Sequence, residues 1–553
     1  MIGKVTSVKD NILYCTNVAG YTFVGEVVSF SGMSSDENRD SCRGIVFEIN
    51  KLYIKILLIS GEQYWLSMND SVHGTNKQVQ IKVGFFILGK TVTPFGDIMN
   101  VFNNRTDNDM TLFLDTFFQT GYSNISNGSP SIIERTQVRK PLLTGINSVD
   151  CLFPVGLGQR QLIIGDHNTG KTSLALTVIL NQRFYNSFSK YNYYSYYNFN
   201  DFKPCIYVSI GQKRSEVLRI QEMLCDFDSD WYTSIVFSSA DDLPIIQYYS
   251  PYSACAMGEW FMNKGYDCIT VFDDLSKHSV AYRQMTLLLR RAPGREAFPG
   301  DVFFLHSKLL ERAAQLSPVR GEGSLTSLPV IETLCGDVSS YIPTNVISIT
   351  DGQLYLNKAL VNRGVLPAVD LNLSVSRVGS SAQYFFMREV SKHIKSQIAL
   401  YRQFKDAELL GASAGHVKAH INRGKRLTLL FTQSLYSTEN YFKQTVYFFC
   451  LSKGFADDLD VRLTKFFLGS MWNKKFIKYL SKKNSINYMD WFSDLDIAQD
   501  SFSVLKSKHF EKKLYKFLFS YKAFFDKFLL PVIENSLDQD YVWSLVNNYN
   551  ESF

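Results

Sequence analysis

Between Gly165 and Thr172 the chain reads GDHNTGKT. Gly165, four residues, then Gly170-Lys171-Thr172 is the spacing of a loop that cradles phosphates. The backbone N–H groups of Asp166, His167, Asn168, Thr169 and Gly170, with Ser173 in the following turn, are set to face anionic oxygens. Lys171 brings a point charge toward the β and γ phosphates, and the Thr172 hydroxyl suits Mg²⁺. The species expected here is ATP or ADP with Mg²⁺. A second element has to supply an acid near that metal. The segment VFDDLSK, 271–277, ends an apolar run with Asp273 and Asp274, a pair that could serve Mg²⁺ through water.

Holding a nucleotide is not hydrolysing it. Hydrolysis needs a group that orients and activates water, often a carboxylate at the end of the neighbouring strand. Here CIYVSI, 205–210, runs into GQKRSE, and the residue near the expected place is Gln212. An amide can orient a water but cannot take its proton. Glu216, four positions on, falls in the next helix. The site therefore reads as one that keeps its nucleotide. Arg377, in the small-residue stretch VSRVGS, follows the last expected strand. It is either a solvated or locally paired cation, or a finger reaching a neighbour's phosphate. Arg290, Arg291 and Arg295 lie in a glycine-rich, charged stretch, 287–314, that suits an interface or a nucleic-acid path.

These residues need a scaffold. QLIIG, CIYVSI and CITVFDD read as short buried strands; LTSLPVIET, 325–333, and NVISIT, 345–350, are further candidates. KTSLALTVILNQ places Leu174, Ala175, Val178 and Ile179 on one helical face. Apolar strands alternating with helices indicate a RecA-like α/β phosphate-loop domain with a largely parallel sheet, over 81–385. It carries polar insertions near 100–130 and 185–200. Before it, residues 1–80 alternate with a period near two, which fits a small β-barrel or sandwich, the barrel being the preferred reading. After it, 386–553 reads as helical: SQIALYRQFKDAELL and RLTLLFTQSLYS are expected helices. From about 451 a basic, aromatic tail follows, in which KKFIKYLSKK and EKKLYKFLFSYKAFFDKFLL are amphipathic. Both are read first as helices packed on their own domain.

Bulk properties agree. The 553 residues suit three or four domains. With 58 basic and 52 acidic residues the net charge is only +6, which argues for an interface rather than a nucleic-acid path at the arginines. The nine cysteines form no close pair and are expected as reduced thiols. No run of 18 clean apolar residues predicts a membrane span. MIGKVTSVKDNILYC has neither a secretory apolar core nor an Arg/Ser-rich arm.

Several stretches carry a resemblance: GQRQLIIGDHNTGKTSLA, CIYVSIGQKRS, SPYSACAMGEWF, VFDDLSKHSVAYRQMTLLLRRAPGREAFPGDVFFLHSKLLERAA, GSLTSLPVIET, DVSSYIPTNVISITDGQLYL and NLSVSRVGSSAQ. Together they resemble the alpha subunit of the rotary proton-translocating ATP synthase, and the GQKRS and HSKLLERAA wording is similar to mitochondrial forms. The likeness is strongest over 140–385 and nearly absent beyond 450. It implies an alternating hexamer with beta subunits around a central-stalk gamma subunit, with peripheral-stalk subunits alongside. It implies no nucleic acid, and membrane association only through the complex, on the matrix side of the mitochondrial inner membrane. It implies a nucleotide that is not turned over, Arg377 crossing to the beta catalytic site, and Gln433, in LLFTQSLYS, near the adenine. Departures lie at the base end, where Leu366, Leu435 and Val361 replace polar or aromatic residues, and in the loop at His167 and Asn168. The competing classes are a hexameric nucleic-acid translocase and a self-sufficient ATPase using Glu216; Gln212 and the mild charge speak against the first.

Overall fold

The computed structural model describes residues 2–9, 11–17, 22–31, 42–60, 66–99, 120–186, 202–409, 415–472 and 504–525. The segments TLFLDTFF, YYSYYNF and KKFIKYLSKK lie outside them. The chain forms two compact units. The first comprises Met1–Arg139, Val155–Gly364 and Ala368–Val378; the second comprises Lys140–Pro154, Val365–Pro367 and Gly379–Phe553.

The first unit opens with six strands: β1 Gly3–Lys9, β2 Ile12–Thr16, β3 Glu26–Ser31, β4 Arg43–Ile49, β5 Tyr53–Ser60 and β6 Ser71–Gln78. They close into a barrel in the order β1-β2-β5-β4-β3-β6, the first of the two architectures that the alternation fits. The period of two sends Val5, Leu13, Cys15, Val28, Phe30, Ile54 and Ile56 into one core. Four further strands follow: β7 Gln80–Val83, β8 Thr91–Val92, β9 Ile98–Met99 and β10 Gly121–Asn124. β10 pairs antiparallel with β7. The end of the stretch read as a polar insertion near 100–130 is therefore a strand, whose pairing partner, about forty residues upstream, no local pattern reveals.

Seven more strands complete the sheet that carries the phosphate loop: β11 Leu162–Asp166, β12 Cys205–Gln212, β13 Thr233–Ser239, β14 Asp267–Asp273, β15 Ser324–Thr333, β16 Gly352–Leu356 and β17 Val375–Ser376. Their order is β17-β16-β11-β15-β14-β12-β13-β8-β9. Every pairing from β16 to β8 is parallel, and the two edge pairings are antiparallel. The longer helices between them are α1 Lys171–Asn181, α2 Arg214–Asp226, α3 Pro244–Asn263, α4 Leu275–Leu288, α5 Val302–Leu310 and α6 Tyr341–Ile349. One expectation fails here. NVISIT is not a strand; its residues through Ile349 end helix α6, which buries Ile342 and Val346. That spacing of four is helical, and the sheet position beside β11 belongs to GQLYL.

The barrel meets this domain through a buried cation. Lys55 Nζ donates to Leu289 O at 3.0 Å, at the C-terminus of α4, and to Glu48 Oε2 at 3.1 Å. A positive charge is favourable at that end of a helix. Arg291 lies over the Phe47 ring, 5.2 Å from its centroid, and faces Glu48 and Asp301. Arg295 lies over Tyr341. Two of the three arginines read as interface candidates thus make contacts within the chain.

Two imidazoles are fully buried side by side, His278 on α4 and His306 on α5, with ring centroids 5.6 Å apart. His278 Nε2 is 3.1 Å from Tyr248 O. Burial pushes His278 from the usual 6.5 down to about 4 and His306 down to about 3, the latter helped by His278. Both are neutral in the folded chain, whereas the unfolded chain takes up protons below about pH 6.5. Their contribution is therefore complete above that pH and is lost as pH falls toward the folded values. His278→Gln, whose amide can still donate to Tyr248 O, is expected to lose this dependence. The stability gap between wild type and variant, measured by denaturant unfolding, should shrink from pH 7 to pH 5; a constant gap would contradict the assignment.

The second unit is helical, with α7 Phe385–Leu409, α8 Gly415–Phe431, α9 Tyr441–Ser452, α10 Thr464–Ser470 and α11 Val504–Phe524. The run RLTLLFTQSLYS is helical only as far as Phe431. As expected, the basic segment in α11 packs on its own unit, burying Leu514, Phe517, Leu518 and Tyr521. Phe467 contacts Tyr521 and Phe525 at centroid distances of 4.9 and 4.8 Å. Two ion pairs tie α11 to the unit, its Glu511 to Lys453 and its Lys522 to Asp458. No described helix is long and apolar enough to cross a membrane.

Candidate nucleotide site

β11 leads directly into the glycine loop and α1 out of it. Gly165 tolerates no side chain, since a Cβ there would lie 2.8 Å from both Leu356 O and Thr169 Oγ1. Gly170 takes φ 89° at the N-cap of α1 and offers no side chain to cap it. The first-turn N–H groups of a helix have no intrahelical acceptor, so they are available to an anion. The cradle thus fits a polyphosphate. Lys171 Nζ donates to Asp166 O at 2.5 Å, across the loop. A phosphate oxygen would offer it a stronger, charge-assisted bond. Burial lowers the Lys171 pKa, against the opposing pull of Glu332, Asp274, Asp273 and Asp166.

The loop is braced by residues that spacing alone did not single out. Asp166 Oδ1 accepts from Thr333 Oγ1 and from Gly336 N, both at 2.7 Å. Thr169 Oγ1 donates to Asp166 O. Glu332 sits opposite Gly165 in the β11–β15 register and contacts His167 Nδ1 at 2.7 Å. Asn168 adopts φ 60°, a conformation asparagine accepts better than most residues.

The acid pair divides its labour. Asp273 Oδ2 accepts from Thr172 Oγ1 at 2.7 Å and from Tyr207 OH at 2.7 Å. Hard oxygens in this arrangement suit Mg²⁺. Asp274 caps α4 by accepting from Lys277 N at 2.7 Å. Its pKa rises to about 7, first from burial and then from Asp273. The Asp273–Asp274 peptide is cis.

Gln212 reaches this centre through a β-bulge. The register of β12 on β13 slips between Ile210 and Gln212, and Gly211 has φ 59°. Gln212 then donates from Nε2 to Asp273 O at 3.3 Å and accepts from Ser209 Oγ at 3.3 Å. Glu216 is solvent-exposed on the first turn of α2. The structure brings together the loop, Lys171, Thr172, Asp273 and Gln212.

Arg377 is elsewhere. Its backbone N–H donates to Asp351 O at 2.8 Å, where β17 runs antiparallel to β16. The phosphate loop lies beside Leu356, at the other end of β16. Five residues separate the two ends, about 16 Å at the rise of a β-strand. The Arg377 side chain is exposed and has no recorded ion-pair or hydrogen-bond partner among the described residues. Gln433 belongs to the second unit. Its Oε1 accepts from Asn147 N at 2.9 Å and its Nε2 donates to Gly145 O at 3.1 Å. One lone pair and one N–H remain for any other partner. Asp150 holds this turn by accepting from Thr144 N and Gly145 N; its pKa rises to about 6, chiefly from burial.

Tyr207, Glu332 and Thr333 were not anticipated. The register that sets Ser209 opposite Asp273 and Gly165 opposite Glu332 was the only signal that could have found them, and it is a property of the sheet.

Comparison with known proteins agrees with this geometry. The sequence model for the ATP synthase alpha/beta family, nucleotide-binding domain, matches residues 145–376, and that for the ATP synthase alpha/beta chain, C terminal domain, matches residues 383–515. The chain is 42% identical over 494 residues to "ATP synthase subunit alpha" of Neorickettsia sennetsu, covering 88% of this chain and 91% of the relative. It is 44% identical to the protein of that name from Anaplasma phagocytophilum, over 79% and 81% of the two chains. For Ehrlichia canis the identity is 41%, over 89% and 90%. A closed barrel, a parallel-sheet nucleotide domain with a glutamine beside its acid pair, and identity at this level over most of the chain lead to one conclusion: the chain belongs to the ATP synthase alpha subunit family.

Proposed function

We propose that the chain holds ATP or ADP with Mg²⁺ at GDHNTGKT without hydrolysing it, and lends Arg377 to the catalytic site of a neighbouring beta subunit. Thr172 and Asp273 hold the cation, Lys171 and the loop N–H groups hold the phosphates, and Gln433 stands toward the adenine. The observation that carries the reading is the position of Arg377, at the opposite end of β16 from its own loop, with an exposed side chain that has no ion pair or hydrogen bond among the described residues. A cation placed there cannot serve this chain's phosphates but can serve a neighbour's in a ring. Gln212 supports the non-catalytic half. Its amide is engaged with Asp273 O and Ser209, and it has no basic site for a proton. In this reading the barrel covers 1–80, the nucleotide domain 81–385 and the helical domain 386–553. Gamma and peripheral-stalk subunits complete the assembly. It sits peripherally on the matrix side of the mitochondrial inner membrane, a placement supported by the mitochondrial wording of GQKRS and HSKLLERAA.

The test uses the purified chain. It is expected to retain labelled ATP in Mg²⁺ without turnover, and to release it when the metal is chelated, because the base end offers few polar contacts. Turnover should appear only on assembly with a beta subunit. Brisk hydrolysis by the lone chain would refute the division of roles; retention after chelation would refute the dominance of the phosphate end.

A further inference from the structure

Tyr207 is fully buried near the start of β12, well below the loop. A buried phenol needs a partner, and this one has a specific atom. Its hydroxyl and that of Thr172 both donate to Asp273 Oδ2, each at 2.7 Å. The β12–β14 register, which sets Tyr207 beside Val271 and Ser209 beside Asp273, delivers it there. Gln212 Nε2 meanwhile holds the Asp273 backbone carbonyl at 3.3 Å. The backbone of this carboxylate residue is thus held from one side and its side chain from another. Among the described residues no hydrogen bond to Oδ1 is recorded.

We infer that Tyr207 is a positioning residue for the divalent cation: its hydroxyl, beside that of Thr172 on Oδ2, fixes the Asp273 carboxylate and leaves Oδ1 for the cation. This rests on the reading that Thr172 and Asp273 hold Mg²⁺. Thr172 cannot do the job alone, because its oxygen must also face the metal. Tyr207 approaches from inside the sheet and has no such second duty. It is not a metal ligand and touches no nucleotide. Outer partners of this kind set metal affinity by restricting the ligand's orientation, and their loss commonly weakens it about 10–100-fold.

The experiment titrates Mg²⁺ against retention of labelled ATP on the full-length chain, with Mn²⁺ binding followed by electron paramagnetic resonance as an independent readout. Tyr207→Phe keeps the ring and removes only the donor. The Mg²⁺ and Mn²⁺ concentrations for half-saturation should rise about 10–100-fold, while the thermal midpoint of the metal-free chain stays near wild type. A merely structural tyrosine would instead move the thermal midpoint and leave the metal requirement alone. Tyr207→Met, which fills the volume with a flexible apolar chain, should show the same shift and serves if the phenylalanine variant folds poorly. Wild-type metal dependence in these variants overturns the inference and leaves the metal site standing. ATP retention by the wild-type chain that is indifferent to Mg²⁺ and Mn²⁺ removes both.

Discussion

Arg377→Ala in the complex assembled with beta subunits should lower ATP turnover by roughly 10³-fold or more, the range seen when a finger arginine is lost from a phosphoryl-transfer site. Labelled nucleotide on this chain should stay bound, because Arg377 stands at the opposite end of β16 from GDHNTGKT. The two measurements separate the roles. Loss of both turnover and bound nucleotide would make Arg377 a residue of the fold, and near-normal turnover would make it a solvated cation. Arg377→Lys refines the result. Lysine keeps the charge but not the planar fork that matches phosphate oxygens, so it should recover only part of the rate. A full recovery would mean that charge alone suffices.

Arg312→Ala should cost about 3–5 kcal/mol in unfolding free energy, the range for breaking a buried ion pair from one side. Arg312 is 1% exposed and Glu259 is 5% exposed. The guanidinium grips the carboxylate through two bonds, Nε to Oε1 at 2.5 Å and Nη2 to Oε2 at 2.8 Å. Its Nη1 donates to Ile125 O and Tyr252 O, which ties the chain after β10 to α3. Removing the cation leaves Glu259 buried with Asn127 Nδ2 as its remaining side-chain donor among the described residues, and takes a donor from Ile125 O. Denaturant unfolding of the chain gives the number. The double variant Arg312→Met/Glu259→Leu, which removes both charges, should recover most of the loss. A single-variant cost below about 1 kcal/mol, the level of a surface pair, would show that the pair is solvated in solution.

Much of the site lies in contiguous runs, and those were legible. The loop GDHNTGKT, the strand before it and the helix after it are local, and Gly165 and Gly170 are required by backbone geometry at those positions. The barrel was legible because half-buried strands place alternate side chains on opposite faces, which writes a period of two into short segments. The helices of the second unit were legible in kind, though RLTLLFTQSLYS overran its end at Phe431. NVISIT was misread because a β-branched run satisfies a strand's preferences, while its apolar spacing to Ile342 and a sheet position already taken by GQLYL made it a helix. Propensity is a weak force beside such packing.

The sequence by itself determined the chemistry on offer: a phosphate cradle, a cation-side acid in Asp273, an amide where a base would stand, and a family likeness that gave Arg377 its meaning. Those are properties of residue types and short spacings. Only the tertiary structure decided how they are aimed. The bulge at Gly211 turns Gln212 onto Asp273, the β12–β14 register brings Tyr207 to the same carboxylate from 66 residues away, and antiparallel β17 carries Arg377 to the other end of the strands from the loop. Register and crossover are set by burial of whole strands against one another, a cooperative balance over hundreds of residues that no short window of sequence contains.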